Sequence, residues 1–98
     1  MKYTAKQNGN KLEVAVEGRL DTVSAPELQK ALEPLVHGMD ELIFDFSNLD
    51  YISSAGLRTL LWAHQNLNMH GKTHVIHCNP VVKAVFDVTG FDDVFDYE

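Results

Sequence analysis

Two serines stand side by side in the run Tyr51-Ile52-Ser53-Ser54-Ala55-Gly56-Leu57-Arg58-Thr59-Leu60-Leu61. The apolar spacing that follows is helical, so the pair occupies the junction between a loop and a helix start. A helix start carries unpaired N–H groups and a partial positive charge. A phosphate placed there accepts hydrogen bonds and sits in a favourable field. Phosphorylation adds roughly −1.5 to −2 charges at one exposed point. Gly56 weakens such a helix by about 1 kcal/mol relative to alanine. Its benefit, on this reading, is a bare surface that another protein can approach closely. An ordinary N-cap at Ser53 or Ser54 with an incidental Gly56 accounts for the same residue types equally well.

Other chemistry has weaker support. His70, His74, His77 and Cys78 have metal-ligand side chains, but a zinc site needs ligands that converge tetrahedrally. Gly71 interrupts the helix that would bring His70 and His74 together, and strand alternation sends His77 and Cys78 to opposite faces. No metal and no cofactor are expected. Catalysis by a Ser54 nucleophile would need a base within reach and an oxyanion hole. The segment lacks the G-x-S-x-G elbow, and no histidine is paired with it, so no enzyme is expected. His64 reads as a helix-face histidine. Trp62, Phe91, Phe95 and Tyr97 read as core, although Trp62 is also the residue type of an interface anchor.

The elements that must position the serines follow from periodicity. Tyr3 to Lys6 is a short strand, and Asn8-Gly9-Asn10 is the turn of a hairpin. Leu12, Val14 and Val16 then alternate with Glu13, Ala15 and Glu17, the half-buried pattern, and Gly18 ends that strand. Ser24 and Glu27 form a capping box for a first helix carrying Leu28, Ala31, Leu32 and Leu35. Pro26 suits its first turn, whereas Pro34 distorts or frays its end. Leu42 to Phe46 is a strand, and residues 47–52 are a loop into the second helix, which bears Leu57, Leu60, Leu61, His64 and Leu67. Gly71 stops that helix. His74 to His77 is a strand, Pro80 opens a third helix ended by Gly90, and Val94 to Tyr97 adds a last short strand.

The order β-β-α-β-α-β-α-β is that of an α/β fold with parallel strands joined by helical crossovers. The sheet is expected to hold four to five mostly parallel strands after the N-terminal hairpin. Because its strands alternate rather than run continuously apolar, the helices should lie mainly on one face. Ninety-eight residues make a single domain, 1–98, with 45% hydrophobic and 22% charged residues. The net charge of −6 and the lack of a basic patch argue against nucleic acid and against an anionic membrane. Asp92, Asp93, Asp96 and Glu98 read as a solvated acidic tail or as a docking surface for a basic partner. A lone Cys78, no signal-like N-terminus and no apolar run of about 20 residues suggest a cytoplasmic protein without membrane insertion.

The serine segment resembles the signature of STAS domains, specifically anti-sigma factor antagonists, whose typical form is D-S-[ST]-G-L-G. Ser54 takes the phosphoacceptor position, Ala55 the small-residue position and Gly56-Leu57 the Gly-Leu pair. Gly18-Arg19-Leu20-Asp21, followed by Ala25 and Leu28, is similar to the family's G-x-L-D segment. Asn79-Pro80-Val81-Val82, running on to Phe86 and Gly90, is similar to its S-P-x-V-x-x-x-F-x-x-x-G helix. The resemblance implies a single small STAS-like domain that binds an anti-sigma factor kinase and so frees a sigma factor. It also implies that the kinase ends the interaction by phosphorylating Ser54, and that a phosphatase restores it. The implied partner surface is Asp21, Ser53, Ser54, Ala55, Gly56, Leu57 and Arg58, with Asp21 bonding or orienting the phosphoacceptor. Two departures stand out. Ser53 replaces the usual aspartate, which makes Ser53 an alternative phosphoacceptor. Arg58 replaces a common glycine; it either pairs with a phosphate at Ser54 or faces solvent or partner. The competing readings are a non-phosphorylated STAS subunit of a lipid-transport ATPase or signalling scaffold, and a serine hydrolase.

Overall fold

The computed structural model describes residues 1–91 and 94–98. The chain runs β1 (Lys2–Asn8), β2 (Lys11–Leu20), α1 (Ser24–Val36), β3 (Glu41–Asp45) and β4 (Leu49–Ile52). It continues through α2 (Ser54–Gln65), β5 (Lys72–Ile76), α3 (Pro80–Thr89) and β6 (Asp96–Tyr97). The strands form one sheet in the order β1-β2-β3-β5-β6, with β4 paired to β2 off that path. Only β1 and β2 are antiparallel; the remaining pairs are parallel. Gly9 takes φ +62° at the first position of the two-residue hairpin turn, which a glycine adopts without strain.

The alternation read from the sequence is what buries the core. Leu12, Val14 and Val16 on β2, Leu42 and Phe44 on β3, and Val75 on β5 are all buried. Against them pack Leu28 and Leu32 of α1, Leu57 and Leu60 of α2, and Val82 and Phe86 of α3. The alternate positions Glu13, Ala15, Ile43, Asp45, His74 and Ile76 stay half or fully exposed, so one sheet face carries the helices and the other is open.

The sheet has six strands, four of them after the hairpin, and one of these was not read from the sequence, because residues 47–52 do not form a plain loop. Leu49–Ile52 is β4, which pairs with the end of β2 in the register Gly18↔Leu49, Arg19↔Tyr51, Leu20↔Ile52. Gly18 correspondingly does not end β2. At φ +87° it makes a bulge, and the strand runs on to Leu20 while its parallel neighbour changes from β3 to β4.

Smaller corrections have equally local causes. Ser24 does not cap α1; Asp21 does, as described below. Pro34 sits inside α1 without ending it, and the buried Val36 holds the final turn. Helix α2 stops at Gln65, well before Gly71, with Asn66 as its cap. Gly71 is instead a close-packing site, where a Cβ would lie 2.7 Å from that of Leu67. β5 ends at Ile76, before His77, whose φ of +61° leaves the extended region. The acidic cluster proposed for the C-terminus falls partly outside the described residues, at Asp92 and Asp93. Its exposed Asp96 pairs with His74 at 3.4 Å, and Glu98 is bonded by its backbone to β5 and Cys78.

The bulge is testable. Gly18→Ala places a Cβ at φ +87°, with only Met1 Cα nearby at 3.8 Å, so its cost is backbone strain and not crowding. A loss of about 1 kcal/mol is expected, read as a lower urea midpoint with unchanged slope.

Candidate functional site

Two helix N-termini are built on one strand end. The C-terminal tip of β2 presents Leu20 and Asp21, and each organises a different helix. Ser53 donates its backbone N–H to the Leu20 carbonyl at 2.9 Å, which fixes the entry into α2. Ser53 is extended, at φ −96° and ψ 175°, and is the N-cap. Its Oγ accepts from Gly56 N at 3.3 Å, and its carbonyl accepts from Leu57 N at 3.0 Å. The Ser53 hydroxyl oxygen is thus engaged as the acceptor of the helix cap.

Ser54 is the first helical residue and is exposed. Its hydroxyl makes no hydrogen bond to the described residues, and the N–H groups of Ser54 and Ala55 are likewise unbonded there. These N–H groups lie at the positive end of a 12-residue helix. Four residues on, Arg58 is exposed and makes no ion pair among the described residues. Arg58 also lines the groove between α1 and α2.

Gly56 does not supply the outward bare surface expected of it. It is buried, and an added Cβ would lie 2.7 Å from Ile52 Cγ1 and 2.9 Å from the Leu20 carbonyl oxygen. The glycine lets the first turn of α2 press against the paired ends of β2 and β4. Leu57, at 3% exposure, is also core. Both therefore shape the site from beneath, and Ser54, Ala55 and Arg58 form its outer surface.

Asp21 binds neither serine of the pair. Its Oδ1 accepts from Val23 N at 3.0 Å and from Ser24 N at 3.1 Å, and its carbonyl accepts from Ala25 N. Ser24 Oγ in turn accepts from Asp21 N at 2.9 Å and donates to the Arg19 carbonyl at 2.8 Å. This is a reciprocal capping box set three residues earlier than the Ser24–Glu27 pattern suggests. The Ser24 N–H bond, above all, holds the Asp21 carboxyl below its ordinary value of 3.8.

Sequence reasoning missed the surface beside these caps. The Arg19 guanidinium lies 4.5 Å over the Tyr51 ring, and its Nε is 3.9 Å from Asp21 Oδ2. The contact exists only because β4 pairs with β2. A shallow groove also runs between α1 and α2, lined by Ala25, Pro26, Lys30, Ala55, Arg58 and Thr59 among others. The helical spacing of Lys30 and Arg58 could have placed each on its own helix, but not opposite one another.

The histidines lie elsewhere. His64 Nδ1 meets Thr73 Oγ1 at 2.7 Å, and its ring packs edge-on to Phe95; burial lowers its pKa. His74 lies between Glu41 and Asp96 on the open sheet face. Burial pushes the Cys78 thiol up to about 11. Among the described residues no group of three or more His, Cys, Asp or Glu side chains is placed to hold a metal ion, and no helix is long and apolar enough to cross a membrane. Trp62 is half-buried, packed against the core yet reaching the surface of α2.

The STAS domain family model matches residues 2–98. BtrV of Bordetella bronchiseptica, provisionally named an anti-sigma factor antagonist, is 34% identical over 97 residues, covering 97% of this chain and 84% of that one. The crystal structure of an anti-sigma factor antagonist from Mycobacterium paratuberculosis superposes with a TM-score of 0.87 at 25% identity, covering 98% of this chain and 83% of that one. SpoIIAA of Bacillus shares the fold. Its unphosphorylated form gives a TM-score of 0.85 at 17% identity, covering 99% of this chain and 88% of that one. Its phosphorylated form gives 0.76 at 16%, covering 99% and 91%.

Two variants test how the site is held. Gly56→Ala forces the 2.7 Å and 2.9 Å contacts apart and is expected to cost roughly 1–3 kcal/mol, measured by urea unfolding. Asp21→Ala should lower stability at neutral pH. Because folding depresses the Asp21 pKa below 3.8, its contribution is complete above that value and is lost as pH falls through the lower folded pKa. The gap between wild type and Asp21→Ala should therefore close in acid, as read by urea midpoints across pH; a constant gap would refute the ionised cap.

Proposed function

The chain belongs to the STAS domain family, and from that premise we infer that it is an anti-sigma factor antagonist switched by phosphorylation of Ser54. Unmodified, it binds an anti-sigma factor that is also a serine kinase, and a phosphatase reverses the modification. The observation that carries Ser54 is the division of labour between the two serines. The Ser53 hydroxyl is taken by Gly56 N, whereas the Ser54 hydroxyl is exposed and unbonded.

The chemistry of the switch follows from charge. A phosphoryl group on Ser54 brings about −1.5 to −2 charges to a surface that must fit closely against another protein. In that contact the group is stripped of water, which is costly without cationic partners. In the free protein the same group stays hydrated and has the open N–H groups of Ser54 and Ala55 beside it. The modification therefore penalises the complex far more than the free chain. Asp21 acts here as a positioning residue, since it fixes α1 beside α2 without touching Ser54.

Incubation with the cognate kinase and ATP should add one phosphate, seen by mass spectrometry, to wild type and Ser53→Ala but not to Ser54→Ala. Modification that survives in Ser54→Ala and vanishes in Ser53→Ala would move the assignment to Ser53. Ser53→Ala should itself lose about 1 kcal/mol of stability through its cap. Ser54→Asp should keep the fold and bind the kinase at least tenfold more weakly than wild type.

A further inference from the structure

The tip of β2 carries an arginine that neither helix cap uses. Arg19 follows the bulge at Gly18 and lies opposite Tyr51 in the β2–β4 register. Its guanidinium sits 4.5 Å over the Tyr51 ring, a cation–π contact. Its ion-pair partner among the described residues is Asp21, whose Oδ2 is 3.9 Å from Nε. That separation is too long for a hydrogen bond, and the other Asp21 oxygen is already taken by the cap of α1. The guanidinium therefore makes no hydrogen bond among the described residues, and the side chain is 63% exposed. A ring holds this arginine in place while its five N–H donors stay open.

Such ordering matters for binding. A long side chain loses rotamer freedom when a partner immobilises it, and one already stacked has less to lose. Its open planar fork matches a carboxylate, which accepts two parallel N–H bonds. The position suits the same partner that reads Ser54. Leu20, next to Arg19, holds the Ser53 N–H through its carbonyl. Tyr51 is three residues before Ser54, so their Cα atoms are at most about 11 Å apart. A partner that buries ~800 Å² covers a disc of about 16 Å radius, and one centred on Ser54 spans the strand end that bears Arg19 and Tyr51.

We propose that Arg19, stacked on Tyr51, is a preordered anchor for a carboxylate on the anti-sigma factor kinase. This rests on the antagonist reading above and adds a partner chemistry to it. It also sharpens the switch. The carboxylate that binds Arg19 is repelled by a phosphoryl group on Ser54, and salt screens that repulsion poorly inside a protein contact.

Titration calorimetry of the unmodified protein with the cognate kinase tests the proposal. Arg19→Ala should bind about 30-fold more weakly than wild type, the loss expected of an interface anchor. Arg19→Lys keeps the charge but loses the fork and the stacking, and should stay at least about fivefold weaker than wild type. Tyr51→Leu keeps apolar bulk and removes the ring. It should weaken binding severalfold in the wild-type background and not at all in Arg19→Ala, a coupling that a merely structural role for Tyr51 does not produce. In the free protein the Tyr51 ring should shift the Arg19 Nε–H resonance upfield, and Tyr51→Leu should abolish that shift. Affinity indifferent to Arg19→Ala, or fully retained by Arg19→Lys, overturns the proposal. So does a loss confined to the rate of phosphoryl transfer. The antagonist reading is scored separately in the same samples, because a wild type that binds the kinase and is modified at Ser54 upholds it whatever Arg19 contributes. A wild type that the kinase neither binds nor modifies overturns both.

Discussion

The approach of Gly56 to Leu20 is the contact on which the site depends. The first helical turn lies so near a strand carbonyl that a Cβ at position 56 would be only 2.9 Å from the Leu20 oxygen, and glycine has none. That approach seats the Ser53 N–H on the Leu20 carbonyl, and the bond in turn sets the extended backbone of the cap. With Ser53 fixed, its hydroxyl has one partner within reach, the N–H of Gly56. Ser54 is then carried outward by the first helical step. The exposure of one serine and the occupation of its neighbour are two results of a single backbone contact.

The same strand end serves α1. Leu20 anchors one helix through its carbonyl, and Asp21, the next residue, caps the other through its carboxylate. Two positive helix ends are thereby brought to one edge of the sheet in a chain of net charge −6. Asp21 neutralises the first of them. The second has no acidic residue in its first turn, and its cap is the neutral Ser53. The end of α2 is therefore the one left able to receive negative charge.

Much of this was legible in the residues, and what was not has physical causes. β2, β3 and α3 were readable because alternation and helical spacing are local, and burial follows them. β4 was not, because Leu49-Asp50-Tyr51-Ile52 is four residues long and is a strand only through its pairing with β2. With β4 hidden, the facing of Arg19 and Tyr51 was hidden too. The capping error at α1 arose because Asp21-x-x-Ser24 and Ser24-x-x-Glu27 are both sound capping patterns. The bulge at Gly18 decides between them by delivering Asp21 to the helix start. Gly56 was recognised as special but assigned the wrong side. A glycine in a helix signals a close approach without saying from which direction it comes.

The switch proposed for Ser54 would need one fold in two charge states, and the separation of the Ser53 cap from the exposed Ser54 would provide it. Were the cap hydroxyl itself modified, the phosphate would have to displace the Gly56 bond and disturb the turn that shapes the site. At Ser54 an added group would have solvent and the open N–H groups of the first turn around it, with the exposed Arg58 one turn on. Each of these accommodates negative charge. On that proposal the folded state has little reason to change on modification, and the free energy of the switch would reside in the partner's contact surface. A ligand moves an equilibrium only by its differential affinity for the two states. If the fold is nearly indifferent to a phosphate on Ser54, almost all of that difference is available to decide whether the partner stays.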